Sequence, residues 1–126
     1  MNIHSPLELF EEQDRLYLVY EELLGGSLLD LLNACIQGDS RLTNEEIGTI
    51  IYQLAAALNF MHGKGFVHRD LKPENVGFEK ENDCRSIKLT SFLTVKRKPE
   101  GEKLLGVNGS VTGWLDCCST CTWRRR

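Results

Sequence analysis

Eight consecutive residues, His68-Arg69-Asp70-Leu71-Lys72-Pro73-Glu74-Asn75, set a carboxylate, an ammonium and a carboxamide close together in the chain. Transfer of a phosphoryl group depends mainly on placement and charge. It needs a carboxylate beside the attacking hydroxyl, a cation on the transferring phosphate and an oxygen ligand for Mg²⁺. Asp70 is the candidate carboxylate, Lys72 the candidate cation and Asn75 the candidate metal-holding amide. The bland alternative is a charged surface loop. So many successive positions suit the chemistry in the right order that chance is a poor explanation.

The rest of the chain must supply elements that hold this loop. With 126 residues it is about one small domain. Apolar content of 41% and charged content of 26% are those of an ordinary globular protein. The net charge of −3 speaks against nucleic acid as a partner. Charge is uneven: −5 over residues 1–24, −2 over residues 25–90 and +4 over residues 91–126. No signal peptide and no membrane-spanning apolar run is expected, which implies a cytoplasmic protein. Five cysteines, Cys35, Cys84, Cys117, Cys118 and Cys121, form no disulfide framework and read as free thiols. Cys117-Cys118-x-x-Cys121 lacks the second ligand pair that a zinc site needs.

Residues 2–6 are polar and end in a turn-prone Ser-Pro. Leu7–Glu11 and Leu16–Tyr20 read as a hairpin around Glu12-Gln13-Asp14-Arg15, with the second strand buried. Gly25-Gly26 breaks the chain, and Ser27, with Asp30 three residues later as its capping-box partner, caps a short helix to Gln37, closed by Gly38. Leu28, Leu29, Leu31, Leu32, Cys35 and Ile36 give that helix a wide apolar face. Thr43 and Glu46 form a capping box for a helix to Gly63, with Leu42 and Ile47 as its staple. Ile47, Ile51, Leu54, Leu58 and Met61 follow at helical spacing as its core face. Phe66-Val67 leads into the loop. Val76–Phe78 and Ile87–Thr90 read as a second hairpin across the charged turn Glu79–Ser86. Beyond Ser91 periodicity fades, and Lys96-Arg97-Lys98-Pro99 reads as loop.

Strand, Gly-Gly break, short helix, long helix, H-R-D-L-K-P-E-N and a strand pair resemble the middle of a eukaryotic protein kinase. The likeness runs from about Leu7 to Val95, and Lys72-Pro73-Glu74 is the serine/threonine pattern. Gly25-Gly26-Ser27-Leu28 looks like kinases of upstream mitogen-cascade type, while the rest fits calcium/calmodulin-dependent kinases equally well. The implied fold is α+β and mostly helical: a partial kinase domain over 1–113, made of a hinge strand pair and the first half of the C-terminal lobe. An unmatched Cys/Arg-rich tail follows over 114–126.

The resemblance implies ATP and Mg²⁺ as cofactors and a protein substrate or signalling partner, with no nucleic acid and no membrane. It makes Asp70, Lys72 and Asn75 catalytic. Tyr20 is the gatekeeper, the backbone of Glu21 and Leu23 meets the adenine edge, and Ser27 faces the ribose. Leu28 and Phe78 lie beneath the base, and His68 stacks with Phe92. Arg69 receives a phosphate carried by Ser110 or Thr112.

Four departures accompany the likeness. No G-x-G-x-x-G loop or V-A-I-K lysine stands before the hinge. Ser91-Phe92-Leu93 replaces D-F-G, so the metal ligands are Asn75 and a degenerate, neutral Ser91. Gly77 replaces the large apolar floor of the adenine pocket. No A-P-E follows. Two classes of function therefore compete: an incomplete, inactive kinase fragment, or a pseudokinase-like protein-binding module.

Overall fold

The computed structural model describes residues 2–98. Expectations for Ser110, Thr112 and the 114–126 tail lie outside the described residues.

The first hairpin pairs β1 (Glu8–Glu12) with β2 (Arg15–Val19), from Glu8 opposite Val19 to Glu12 opposite Arg15. Gln13 turns it with φ 55. The strand expected to be buried is exposed along its whole length. Apolar residues alternate onto both faces, and two strands cannot cover both of their own faces. Phe10 and Tyr17 stack on each other at 5.0 Å instead.

The helices follow their local signals. In α1 (Leu28–Gln37), the Ser27 hydroxyl accepts from the Asp30 N–H and Asp30 returns a bond to the Ser27 backbone. Gly38 ends it in the left-handed region, φ 86, where a side chain is disfavoured. In α2 (Asn44–Gly63), Thr43 and Glu46 make the same reciprocal pair. The core face of α2 matches the expected stripe in part. Met61 is buried and Leu54 and Leu58 pack against the core, whereas Ile47 and Ile51 are exposed and Ile50 and Ala57 are buried in addition. Periodicity fixes the spacing of a stripe, but the neighbouring strands decide which stripe turns inward.

Among the described residues there are two further two-stranded sheets. β4 (Val76–Phe78) pairs with β5 (Ile87–Leu89) as expected. β3 (Phe66–Val67) pairs with β6 (Lys96–Arg97), a segment read as loop from the sequence. Residues 2–4 are also more than a polar lead-in. Ile3 lies parallel beside Leu89, with Leu89 N–H donating to the Asn2 carbonyl and His4 N–H to the Leu89 carbonyl, both at 2.9 Å. The core sits where α2 crosses β5, with α1 against β4. Ile87 and Leu89 are wholly buried, joined by Val76, Phe78, Ile50, Ala57 and Met61.

Candidate functional site

The loop from His68 to Asn75 runs between β3 and β4, and side-chain bonds lock both of its ends. His68 is 2% exposed. Its Nε2 lies 2.9 Å from the Thr90 carbonyl oxygen, an acceptor only, so Nε2 carries the proton. Nδ1 then accepts from the Asp70 N–H at 3.4 Å. Phe92 meets the ring edge-on at 5.7 Å, in the T-shaped geometry that aromatic quadrupoles favour. Thr94 Oγ1 donates to the His68 carbonyl at 2.8 Å. The segment after Ser91 thus folds back onto the loop.

Asp70, Lys72 and Asn75 converge as their spacing suggested. Asn75 Nδ2 donates to the Asp70 carbonyl at 2.8 Å and to Asp70 Oδ2 at 3.0 Å. Lys72 Nζ stands 3.5 Å from the same Oδ2. A short 3₁₀ turn, Pro73–Asn75, brings the amide round. Because the Asn75 nitrogen is engaged by Asp70, its oxygen is the atom left to face a cation. Arg69 takes φ 69, and its Nη2 is buried without a hydrogen-bond partner among the described residues. A buried guanidinium nitrogen in that state is costly and suits an anion.

Ser91 adjoins this cluster through Thr90, whose N–H donates to the Asn75 carbonyl at 2.9 Å. Its backbone is left-handed, φ 60 and ψ 73. Asn and Asp tolerate that region better than Ser, because their side chains bond locally there. Ser91 is exposed and offers a neutral hydroxyl. Mg²⁺ favours hard, anionic oxygen ligands. Asn75 and Ser91 supply no negative charge between them, so this pair does not fit a tightly held Mg²⁺.

The linker from Glu21 to Ser27 is sewn to β4. Gly25 N–H donates to the Phe78 carbonyl at 3.0 Å, and Phe78 N–H to the Gly26 carbonyl at 2.9 Å. A side chain at Gly25 would collide with the Lys80 carbonyl, so this approach requires glycine. Ser27 bridges to Gly77, and its hydroxyl donates to Asp30 Oδ2 at 2.6 Å. The Ser27 hydroxyl, then its backbone N–H, hold the Asp30 carboxyl below the usual carboxylate range. Gly77 is not an empty floor. A methyl group built there would lie 2.5 Å from Leu23 Cδ1, so the Leu23 side chain already covers the position. Phe78 is 4% exposed within the core and presents little surface to a ligand.

Sequence reasoning passed over His4, which carries no motif. Its ring tilts against Tyr20 at 4.8 Å, and its Nε2 lies 2.9 Å from the Glu21 carbonyl oxygen. It also lines a mostly apolar cavity of about 280 Å³ with Ile3, Phe60, Met61, Phe66 and Phe92. No local pattern could have signalled this, because His4 and Glu21 lie 17 residues apart.

With this geometry, the comparisons with known proteins agree. The protein kinase domain model matches residues 1–116, and the chain belongs to that family. It is 37% identical over 91 residues to MAP kinase-interacting serine/threonine-protein kinase 2 of Xenopus laevis, covering 72% of this chain and 19% of that one. It is 40% identical over 91 residues to MAP kinase-interacting serine/threonine-protein kinase 1 of the same organism, covering 72% and 21%. Calcium/calmodulin-dependent protein kinase type 1 of Caenorhabditis briggsae is 34% identical over 100 residues, covering 79% and 27%. The chain thus spans about a fifth to a quarter of the length of these relatives. Among the described residues, no helix is long and apolar enough to cross a membrane.

Proposed function

We propose that this chain is a portion of a serine/threonine-type protein kinase domain that keeps the form of the catalytic loop but does not itself transfer phosphate. Residues 1–113 are its kinase-like part, with the hinge strand pair and the first half of the C-terminal lobe. Residues 114–126 are read as a Cys/Arg-rich tail. Asp70 is the residue placed to accept a hydroxyl proton, Lys72 to meet a phosphate, and Asn75 to offer an oxygen to a cation. The linker at Glu21, Leu23 and Ser27, with Gly77 beneath, is the place for a nucleotide, and the buried Nη2 of half-buried Arg69 is the place for an anion. On this reading its partners are proteins, and its setting is cytoplasmic signalling.

One observation carries this reading: the bonded Asp70–Lys72–Asn75 cluster stands beside a neutral Ser91. Removing one preorganised charge or donor from a transition state typically costs about 3 kcal/mol of barrier. A missing metal-binding carboxylate belongs to that class. The second reading, a protein-binding module without catalysis, draws on the same site. His68, Phe92 and Thr94 tie the loop together without any ligand.

Radiolabelled phosphate transfer to a basic protein tests the proposal, comparing the chain with Asp70→Asn and Ser91→Asp. All three are expected to be inactive, and the chain should show no Mg²⁺-dependent thermal shift at micromolar ATP. Activity that Asp70→Asn abolishes would make the chain an enzyme and end the proposal.

A further inference from the structure

The Glu21 carbonyl is the linker acceptor proposed above for the edge of an adenine. In this structure it already has a donor. A carbonyl oxygen has no proton to give, so the 2.9 Å contact requires a proton on His4 Nε2. The imidazole N–H therefore does what an adenine 6-amino group would do at that oxygen. Three contacts hold the ring there. His4 backbone N–H is anchored to the Leu89 carbonyl, its ring lies against Tyr20, and its remaining surroundings are the mostly apolar cavity beside Phe92.

We propose that His4 is a specificity-determining residue of the linker, a built-in occupant of the Glu21 acceptor that makes this site indifferent to the 6-amino group of a purine nucleotide. This rests on the nucleotide-binding reading of the linker. The consequence is specific: the site should bind ATP weakly and should not distinguish it from a purine nucleoside triphosphate lacking the amine.

The test uses the full chain and three variants, titrated with ATP and with purine riboside triphosphate while the backbone amides of Glu21 and Leu23 are followed by NMR. His4→Phe keeps a ring against Tyr20 and removes the donor. His4→Leu removes both. His4→Gln returns an N–H donor. The unmodified chain should bind the two nucleotides within about threefold of each other. His4→Phe and His4→Leu should bind ATP about tenfold more tightly and prefer it about tenfold over the amine-free analogue, the scale of one hydrogen bond. His4→Gln should return the preference toward that of the unmodified chain.

An ATP preference equal in the unmodified chain and His4→Phe would overturn the role of His4 and leave the nucleotide reading standing. No perturbation by either nucleotide in any of the proteins would overturn both. An independent readout is the ¹⁵N signature of the His4 ring at about pH 8.5, above the ordinary histidine range. A proton on Nε2 is expected, and a ring protonated on Nδ1 alone would overturn the proposal whatever the nucleotides do.

Discussion

The half around the His68–Asn75 loop and the hairpin half of this molecule are built on opposite principles. Around His68, short pieces with little regular structure are fixed by buried contacts between distant parts of the chain. Thr90, Phe92 and Thr94 all return to His68 or Asn75. The β1–β2 hairpin has ten residues of regular strand pairing, yet every one of those residues is exposed. Secondary structure alone is therefore no measure of stability. Removal of apolar surface from water separates the two halves.

The widest expected gap lies between Leu89 and Leu18. Leu89 is wholly buried and Leu18 is 46% exposed. Leu89→Ala should cost about 3 kcal/mol or more, since a filled core loses both burial and packing. Leu18→Ala should cost about 0.5 kcal/mol or less, as surface changes do. Urea unfolding of the two variants measures the gap directly. Equal losses would mean that the hairpin is packed in solution, and the contrast would collapse.

Next in size is the aromatic clasp. Phe92 is half-buried, so Phe92→Ala should cost about 2–3 kcal/mol, somewhat less than a fully buried phenylalanine. His68→Ala should cost a similar amount, because it leaves the Thr90 carbonyl without its imidazole donor. Asp70→Asn should leave unfolding within about 0.5 kcal/mol of the unmodified chain, because an amide keeps the loop's shape. A loss from Asp70→Asn as large as that from Phe92→Ala would show that charge, rather than packing, holds the loop.

A smaller effect is expected at the start of α2. Thr43→Ala removes the side chain that caps Glu46 N–H and should cost about 1 kcal/mol. The Thr43 backbone N–H and hydroxyl hold the Glu46 carboxyl below the ordinary carboxylate range. That contribution is present above the unfolded-chain value and is lost as pH falls through the folded one. The penalty of Thr43→Ala should accordingly shrink in acid. Chemical denaturation at neutral pH and at about pH 3 compares the two.

The smallest effect belongs to His62. Burial, then the nearby Lys98 charge, hold its imidazole below the ordinary value of 6.5. The folded state resists a proton that the unfolded chain accepts. Its contribution is full above 6.5 and is lost as pH falls from there toward the lower folded value. Between about pH 7 and about pH 5, the unmodified chain should lose more stability than His62→Gln. Parallel pH curves would exclude His62 as a titrating element.

Interactions spanning three or four residues were legible without coordinates. Both capping boxes, the turn at Gln13 and the left-handed stop at Gly38 follow from neighbouring residue types, because the donor and acceptor that meet there are almost adjacent in the chain. The Asp70, Lys72 and Asn75 cluster was legible for the same reason: one short turn closes it. Its neutral neighbour Ser91 was legible as a residue type, but its left-handed backbone was not.

Tertiary structure alone decided the rest. β3 and β6 are two residues long, too short to carry a period of two, and each exists only because the other lies beside it. Which stripe of α2 turned inward depended on where β5 lay, since several stripes of that helix are apolar enough to be buried. Leu23 over Gly77 and His4 on the Glu21 carbonyl depend on side chains from separate segments meeting at a few ångströms. Such meetings follow from the shape of the folded chain, because neither partner has any local preference for the other.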